Sequence, residues 1–417
     1  MNEIYLASGA RTPFVRAGGN FASLSAMDLS VPVVQAMCAR ARPDLLAWGE
    51  VIPDPSISNI ARELVFAGKL DPTIPAYSTV MACSSSFVAT LQTGGMVGAG
   101  GTHLALVGGT ESMSHIPVAL KFKAAERVVA EIAKQPAAAA EVISRLGAAD
   151  FDLPTKGWAN RVTGRTMGQH MDDTAKELGI TRADQDQRAL LSHQGAIAGQ
   201  ESGFFNDLVI PFAGVDRDTF PRRDTTLEKL SRLPPAFDRE SGAGSITAGN
   251  SSPLTDGAAS VWVGDAEGMR RLGVTPTVRL MDWEVGAVDF RTDGMLMAPA
   301  RAIPRLLARH RLRADEISLW EIHEAFAAQV VANIRAAMDP VYRREKAGVD
   351  FDLGEFPMDR LNPHGGSIAL GHPFAATGAR ILSQTVKELS ALPSSARAVV
   401  SVCADGGQGT VALLQRE

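Results

Sequence analysis

The stretch Tyr77–Gln92, YSTVMACSSSFVATLQ, decides the fold and carries the first chemical signal of this chain. An apolar, β-branched run at 79–81 leads into small residues around Cys83, and a helical pattern follows. This order predicts a strand that turns sharply into a helix, with Cys83 at the helix N-terminus. Unpaired N–H groups and the positive end of the helix dipole lie there, which lowers the pKa of a thiol and favours a thiolate nucleophile. A free cysteine among small residues is more often a buried core thiol. A catalytic role for Cys83 therefore requires further signals elsewhere in the chain.

The bulk composition is that of a globular protein with room for two or three domains. The 417 residues are 45% hydrophobic and 21% charged, and the net charge of -5 argues against a nucleic-acid binder. The cysteines Cys38, Cys83 and Cys403 are an odd number and fit no metal-binding spacing, which suggests free thiols in a reducing compartment. The N-terminus enters a strand at once without a presequence, and no uninterrupted apolar run reaches about 18 residues. We therefore expect a cytoplasmic protein without a spanning helix.

Strand and helix patterns alternate along most of the chain. Residues 4–9 and 103–107 have the pattern of buried strands, and residues 24–41 that of an amphipathic helix. Such alternation predicts an α/β protein with a largely parallel sheet that is covered on both faces. The small residues at 256–263 are expected to form a further helix.

The second half of the chain resembles the first. Residues 398–407 repeat the pattern of residues 103–110, an apolar strand that runs into a glycine turn. Gly371-His372-Pro373, which opens a helix at 374–389, resembles the Cys83 turn and its helix. Weak self-similarity at this long period indicates a duplicated α/β domain. The two helix N-termini would then face each other and bring Cys83 and His372 together.

Three further side chains extend this chemistry. His372 lies in the glycine-rich loop 362–380, just before a helix-start proline, where an imidazole can act as a base. Cys403 lies on a second strand-end glycine turn, and His323 follows the strand candidate at 317–321. Strand ends are where α/β sheets hold their ligands. Each signal is weak alone, because such histidines are often structural.

Taken together, these residues closely resemble the thiolase family over essentially the whole chain. The matching stretches are ACSSS around Cys83, GGTESMS at 108–114, MG at 167–168, TAGNSSPLTDGAA at 247–259, HEAFA at 323–327, GGSIALGHPFAATGAR at 365–380 and CADGGQG at 403–409. HEAFA, where many thiolases read NEAFA, is similar to the β-subunit of fatty-acid β-oxidation (trifunctional) complexes. The resemblance implies a duplicated α/β/α/β/α layered fold with an inserted loop domain. It divides the chain into an N-terminal domain at 1–116 plus 246–270, a loop domain at 117–245 and a C-terminal domain at 271–417.

The resemblance also implies catalytic roles. His372 activates Cys83, which attacks a 3-ketoacyl-CoA and keeps the acyl chain as a thioester, and Cys403 protonates the acetyl-CoA enolate that leaves. Backbone N–H groups of Cys83 and Asp405 stabilise the thioester oxyanion, and His372 with a water held by His323 stabilises the enolate. The family usually carries Gly or Ala at position 405. A carboxylate there opposes negative charge unless it points away or is paired.

Coenzyme A is implied as a substrate, with no further cofactor and no metal. Arg222 lies where the family places an arginine against the adenine and phosphate, although a solvated surface arginine is the alternative. Ser252 matches the serine that contacts the pantetheine arm, and Met167 matches the methionine that lines its tunnel. The family further implies a homodimer or a dimer-based oligomer.

The segment at 117–147 leaves its own role open. Its basic residues alternate with apolar ones in a helical period that breaks at Pro136. It is either an ordinary helix packed on its own domain, a peripheral membrane contact, or a docking face for an α-subunit with hydratase and dehydrogenase activity.

The resemblance favours a degradative 3-ketoacyl-CoA thiolase, and three other functions are considered beside it. An acetyl-CoA C-acetyltransferase runs the same chemistry towards acetoacetyl-CoA. A decarboxylating ketosynthase shares the fold but uses a Cys/His/His set, whereas this chain has Cys403 at the third position. A non-catalytic acyl-CoA-binding scaffold is disfavoured by the intact Cys83, His372 and Cys403.

Overall fold

The computed structural model describes residues 2–152 and 159–417, so the part of the predicted loop domain at 153–158 lies outside the described residues. The strands are β1 Tyr5–Arg11, β2 Val15–Arg16, β3 Leu45–Glu50, β4 Ala76–Thr79, β5 Leu104–Ser112, β6 Ala119–Leu120, β7 Phe151–Asp152, β8 Thr255–Gly264, β9 Val278–Ala287, β10 Leu319–Ile322, β11 Arg397–Ala404 and β12 Gln408–Arg416. The helices are α1 Ala26–Cys38, α2 Ile60–Ala67, α3 Ser85–Gly98, α4 Phe122–Lys134, α5 Ala139–Ser144, α6 Met167–Glu177, α7 Arg182–Glu201, α8 Leu227–Ser231, α9 Ala266–Arg271, α10 Ala298–His310, α11 Ala327–Met338, α12 Pro340–Tyr342, α13 Ser367–Leu370 and α14 Thr377–Ser390.

One large mixed sheet forms the centre of the molecule. Nine of its strands follow the order β10-β11-β12-β9-β1-β8-β5-β3-β4, and β2 pairs with β8 as the tenth. The pairs β3/β4, β3/β5 and β10/β11 are parallel, and the other pairs in this sheet are antiparallel. The prediction of an α/β fold is confirmed, but the prediction of a largely parallel sheet is wrong. Strands β8 and β12 each return antiparallel to the preceding strand of the sheet, which alternation along the sequence cannot reveal.

The duplication is visible in the strand pairing. In the first half, β3 is parallel to β5, which is antiparallel to β8, which is antiparallel to β1. In the second half, β10 is parallel to β11, which is antiparallel to β12, which is antiparallel to β9. The antiparallel pair β1/β9 joins the two halves. The predicted repeat is therefore confirmed.

The expected helix at 256–263 is wrong, because these residues form β8. Its small side chains suggested a helix, yet every residue of the strand is buried between β1 and β5. A side chain at Gly257 would lie 2.5 Å from the ring of Phe14, so the small residues allow close packing over a central strand. Tertiary packing overrides local propensity here.

Helices α3 and α14 pack against each other and place the two predicted catalytic turns side by side. A Cβ at Gly378 in α14 would lie 2.5 Å from the backbone nitrogen of Phe87 in α3, so only glycine allows this approach. The Ser86 hydroxyl accepts a hydrogen bond from the Ala379 N–H at 2.8 Å across the same contact. Cys83 and His372 each precede one of these helices, as predicted.

The segment at 117–147 is helical and breaks near Pro136, as predicted. Helix α4 ends at Lys134, and Pro136 begins a short 3-10 turn. Ala124 and Val128 are buried, whereas Phe122 and Val129 are 82% and 68% exposed. Across residues 2–152 and 159–417, no helix has the length and apolarity that crossing a membrane requires.

Candidate active site

Cys83 lies at a sharp turn between β4 and α3. Ala82, the residue before it, has a φ of 45°, a strained left-handed conformation for a residue with a Cβ. Ser84 is the N-cap position of α3, and its hydroxyl donates to the Val402 carbonyl at 3.2 Å. Cys83 therefore precedes the N-cap and is a partly exposed residue close to the strand that carries Cys403.

His372 meets Cys83 from the other half of the molecule. Its Nε2 lies 3.2 Å from the Cys83 Sγ, and its Nδ1 lies 2.6 Å from the Thr377 hydroxyl oxygen. The His372 N–H donates to the Thr255 hydroxyl oxygen at 2.9 Å, which fixes the backbone. Gly371 has a φ of 102°, and a Cβ there would lie 2.9 Å from Thr255 and Phe220 atoms. The predicted nucleophile and base are thus in hydrogen-bond contact.

The expectation of a lowered Cys83 pKa is wrong. Burial, and next the negative charge of Asp405, raises the pKa of Cys83 to about 12. Burial, and next the charge of Arg380, lowers the pKa of His372 to about 3. The resting pair is therefore a neutral thiol and a neutral imidazole. The dipole of α3 does not outweigh desolvation of the thiol, and the His372 Nε2 is placed to accept the thiol proton.

Cys403 occupies the end of β11 next to this pair. It is 1% exposed and packs in an apolar cluster with Phe326 and Met167. Burial, and next the nearby Cys83, raises the pKa of Cys403 well above its usual value. Cys403 is therefore a protonated thiol, which suits a proton donor.

The structure accounts for the unusual carboxylate at position 405. Its Oδ1 accepts from the Asn160 side-chain amide at 2.8 Å and from the Gly406 N–H at 2.6 Å. The backbone N–H of Asp405 faces the Cys83 thiol and opposes the rise of the Cys83 pKa. The carboxylate is hydrogen-bonded but keeps its charge, and the backbone N–H remains beside Cys83, so the predicted role of this N–H is compatible with the aspartate.

His323 follows β10 and lies beside His372. The two ring centroids are 4.2 Å apart with planes inclined by 49°. Its Nδ1 lies 2.9 Å from the Ser367 hydroxyl oxygen. Burial, and next His372 and Arg380, lowers the pKa of His323 well below its usual value, so this imidazole is neutral.

A buried polar network holds the strand end that carries His323. The Glu324 carboxylate accepts from the Asn362 side-chain amide at 2.7 Å and from the Ser192 hydroxyl at 2.6 Å. Arg188 lies 3.2 Å from the same carboxylate in a fully buried ion pair. A buried carboxylate satisfied in this way is a rigid support for the adjoining backbone of His323.

Sequence reasoning missed the side chains that hydrogen-bond to the predicted catalytic residues. These are Thr255, Ser367 and Thr377 around the histidines and Asn160 at Asp405. The three hydroxyl residues lie inside the matched motifs, and this position was the only sequence signal for their role. Their partners are up to 117 positions away along the chain, and the Asn160–Asp405 contact spans 245.

Of the three residues expected to contact CoA, Arg222 lines an open cleft. Arg222 lines a cavity of about 240 Å³ together with His193, Ser251 and Pro253, and its side chain is exposed. Ser252 adjoins this lining, and its N–H donates to the Ala325 carbonyl at 3.0 Å. Leu254, which follows the lining residue Pro253, forms an isolated β-bridge with His372. The cleft lining is therefore continuous with the loop that carries His372. Met167, at the start of α6, lies on the Cys403 side.

Cys83, His323 and His372 also form the one set of potential metal ligands found among residues 2–152 and 159–417. The sulfur and one nitrogen from each ring all lie within 4.8 Å of one another. Sulfur and imidazole ligands suit a soft divalent cation such as Zn²⁺. The spacing of the cysteines along the sequence could not predict this set, because both histidines come from the other half of the chain.

Comparison with known proteins gives matches along the whole chain. The family model described as the thiolase N-terminal domain matches residues 4–267, and that described as the thiolase C-terminal domain matches residues 274–416. A protein of Yersinia enterocolitica named 3-ketoacyl-CoA thiolase is 36% identical, over 100% of this chain and 97% of its own length. One of Shewanella loihica with the same name is 35% identical with the same coverage.

Solved structures match equally broadly. A Bacillus anthracis acetyl-CoA acetyltransferase superposes with a TM-score of 0.81 at 27% identity, covering 100% of this chain and 99% of its own. A thiolase from Ascaris suum in complex with coenzyme A superposes with a TM-score of 0.80 at 26% identity, covering 100% of both chains.

Proposed function

Because this chain belongs to the thiolase family of acyltransferases, we propose that it is a 3-ketoacyl-CoA thiolase of fatty-acid β-oxidation. It cleaves a 3-ketoacyl-CoA with CoA into acetyl-CoA and an acyl-CoA shortened by two carbons. The observation that carries this proposal is the 3.2 Å contact between the Cys83 Sγ and the His372 Nε2, with the protonated Cys403 beside it. Full-length relatives of the same name, 36% and 35% identical, support the substrate class.

In the first half-reaction, the His372 Nε2 takes the proton of the Cys83 thiol. The thiolate attacks the keto carbon, the Cα–Cβ bond breaks, and its electron pair leaves with acetyl-CoA as an enolate. The acyl chain stays on Cys83 as a thioester, and Cys403 gives its proton to the enolate carbon.

In the second half-reaction, the Cys403 thiolate takes the proton of a CoA thiol. The CoA thiolate attacks the thioester, acyl-CoA leaves, and Cys83 recovers its proton from His372. The N–H groups of Cys83 and Asp405 stabilise the thioester oxyanion in both halves. The enolate oxygen of the first half is stabilised on the side of His372 and His323.

Coenzyme A is proposed to lie along the cleft that Arg222 lines. A guanidinium at its mouth suits a phosphorylated nucleotide, because it can stack on the adenine and bind phosphate oxygens. Ser252 and Met167 are proposed to contact the pantetheine arm between this mouth and Cys83. The cleft supports this path, since its lining runs from Arg222 to Pro253 beside the catalytic loop.

Assembly and location are proposed at a coarser level. Among the described residues, β4 pairs with β3 alone, and Val80 beside it is 66% exposed. An open edge strand of this kind favours pairing with a second copy, so we propose a homodimer through β4. The exposed Phe122 and Val129 support a membrane or α-subunit contact of α4, and free thiols support a cytoplasmic setting. The division at 1–116 plus 246–270, 117–245 and 271–417 remains our proposal for the domains.

The second candidate function is an acetyl-CoA C-acetyltransferase that forms acetoacetyl-CoA. Structural neighbours that are 27% identical carry the name acetyl-CoA acetyltransferase, which is the observation in its favour. Both candidates share the Cys83 acyl-enzyme, so the acyl chain length separates them.

The test is thiolysis of 3-ketoacyl-CoA substrates with acyl chains of 4 and 16 carbons, followed by mass spectrometry of the enzyme. We expect turnover of both chain lengths and an acyl adduct on Cys83. Activity confined to the 4-carbon substrate would favour the acetyltransferase. No adduct and no turnover with either substrate would refute both functions and leave a non-catalytic scaffold.

A further inference from the structure

The two active-site histidines differ in how their outer ring nitrogens are used. The His372 Nε2 is engaged by the Cys83 thiol. The His323 Nε2 is fully buried and has no hydrogen-bond partner among residues 2–152 and 159–417. Buried polar atoms are almost always paired, so an unpaired one next to a nucleophile marks a place for a ligand atom.

Arg380 occupies one of the two acceptor positions of the Ser367 hydroxyl behind His323. Its Nη2 donates to the Ser367 hydroxyl oxygen at 2.8 Å, and a guanidinium has donors only. The Ser367 hydroxyl accepts from Arg380, and its one other partner among residues 2–152 and 159–417 is the His323 Nδ1 at 2.9 Å, which leaves this nitrogen as the acceptor for the hydroxyl proton. Ser367 and Arg380 are both buried, so water does not compete for either bond.

A neutral imidazole that accepts at Nδ1 carries its proton on Nε2. We infer that Ser367 and Arg380 are positioning residues that hold His323 in this tautomer, so that its Nε2–H donates directly to the enolate oxygen of the leaving acetyl-CoA. This inference rests on the proposed function, because the enolate arises in that reaction. It assigns roles to two residues outside the reacting set.

The location of the His323 ring agrees with this role. One nitrogen of His323, one nitrogen of His372 and the Cys83 Sγ all lie within 4.8 Å of one another. The two rings then take opposite parts. His372 accepts the thiol proton at Nε2, whereas His323 keeps its Nε2 proton throughout and only donates a hydrogen bond. No proton beyond those of Cys83, Cys403 and CoA needs to move.

The enolate arises only when a carbon–carbon bond breaks or forms. Exchange of an acyl group between CoA and Cys83 passes through the thioester oxyanion and involves no enolate. Loss of the His323 donor should therefore slow thiolysis and spare thioester exchange. A general loss of folding would slow both reactions equally.

The first test is Ser367→Ala, measured in thiolysis and in exchange of labelled CoA with acetyl-CoA. We expect thiolysis kcat to fall on the order of 10²-fold, as for loss of one oxyanion donor, with exchange changed less than about threefold. Ser383→Ala is the matched control, since Ser383 also has a buried hydroxyl with two hydrogen bonds but touches no imidazole. Ser367→Thr, which keeps a hydroxyl, should recover part of the thiolysis rate.

Equal losses of thiolysis and exchange in Ser367→Ala would overturn the inference, as would a Ser367→Ala enzyme that matches Ser383→Ala in both rates. Failure of the proposed function looks different, because the unmodified enzyme would then show neither thiolysis nor a Cys83 adduct.

The second test needs no substrate. NMR of the enzyme labelled with ¹⁵N-histidine, with His323 assigned through the His323→Asn variant, reports which ring nitrogen carries the proton. We expect an Nε2–H tautomer in the unmodified enzyme and a shift towards Nδ1–H in Ser367→Ala. An Nδ1–H tautomer or a protonated ring at His323 in the unmodified enzyme would overturn the inference.

Discussion

Cys83 and Cys403 are two thiols in one site with different surroundings. Cys83 is partly exposed at the turn before α3 and contacts the His372 Nε2 at 3.2 Å. Cys403 is 1% exposed at the end of β11 and packs among apolar side chains. Burial raises the pKa of both thiols, so neither is a standing thiolate. The comparison teaches that a contacting imidazole, and not a lower resting pKa, distinguishes the proposed nucleophile from the proposed acid.

The strongest test of this comparison removes the nucleophile. Cys83→Ala should reduce thiolysis and condensation to the assay background, because no other thiol among the described residues contacts His372. Steady-state kinetics in both directions measure this loss. An acyl adduct that persists in Cys83→Ala would contradict the assignment.

Removal of the second thiol should slow thiolysis but still allow acylation of Cys83. Cys403→Ala should lower thiolysis by roughly 10²- to 10⁴-fold, the usual contribution of a general acid. Cys83 should still be acylated slowly by acetyl-CoA, because that step needs no enolate protonation. Intact-mass spectrometry over time measures acylation, and equal acylation losses in both cysteine variants would refute this division.

A change at the contact between α3 and α14 should affect Cys83 more than Cys403. In Gly378→Ala, the new Cβ would lie 2.5 Å from the Phe87 nitrogen and push the helices apart. We expect about 1–3 kcal/mol of lost stability, as for other overpacked sites, and slower Cys83 acylation as the Cys83–His372 contact lengthens. Urea denaturation and acylation kinetics check both effects.

The matched control for that change is Gly95→Ala. Gly95 lies in α3, which packs against α14, but an added Cβ at Gly95 would meet open space. It should leave stability and acylation near those of the unmodified enzyme. Similar losses in both glycine variants would show that the α3–α14 contact is not what aligns Cys83 with His372.

The smallest expected effect concerns the charge beside Cys83. Asp405 raises the Cys83 pKa, so Asp405→Asn should lower it and move the rise of Cys83 alkylation to lower pH. Each unit of pKa gives about tenfold more thiolate at a fixed pH, and the weaker nucleophile reduces the gain to about threefold. Iodoacetamide rates across pH measure this shift.

Asn160→Ala is the control for that experiment, because it removes the 2.8 Å hydrogen bond to Asp405 and keeps the charge. It should not accelerate alkylation. Faster alkylation in Asn160→Ala than in Asp405→Asn would mean that the orientation of the carboxylate, and not its charge, controls the thiol.

The sequence by itself determined the family and the duplicated α/β architecture, and it predicted which groups react. Local patterns of turns and glycine loops surround Cys83, His372, Cys403 and His323, and such patterns can be recognised in the sequence alone. The same reasoning failed at β8, where small residues suggested a helix and burial between β1 and β5 imposed a strand.

Only the tertiary structure decided the protonation states and the orientation of the site. The pKa of Cys83 rises although a helix N-terminus suggested the opposite, because desolvation depends on every segment of the protein that packs around the thiol. The Asn160–Asp405 and Arg380–Ser367–His323 contacts likewise join residues brought together by folding. Local sequence specifies which groups are present, whereas dielectric environment and hydrogen-bond direction are properties of the packed molecule.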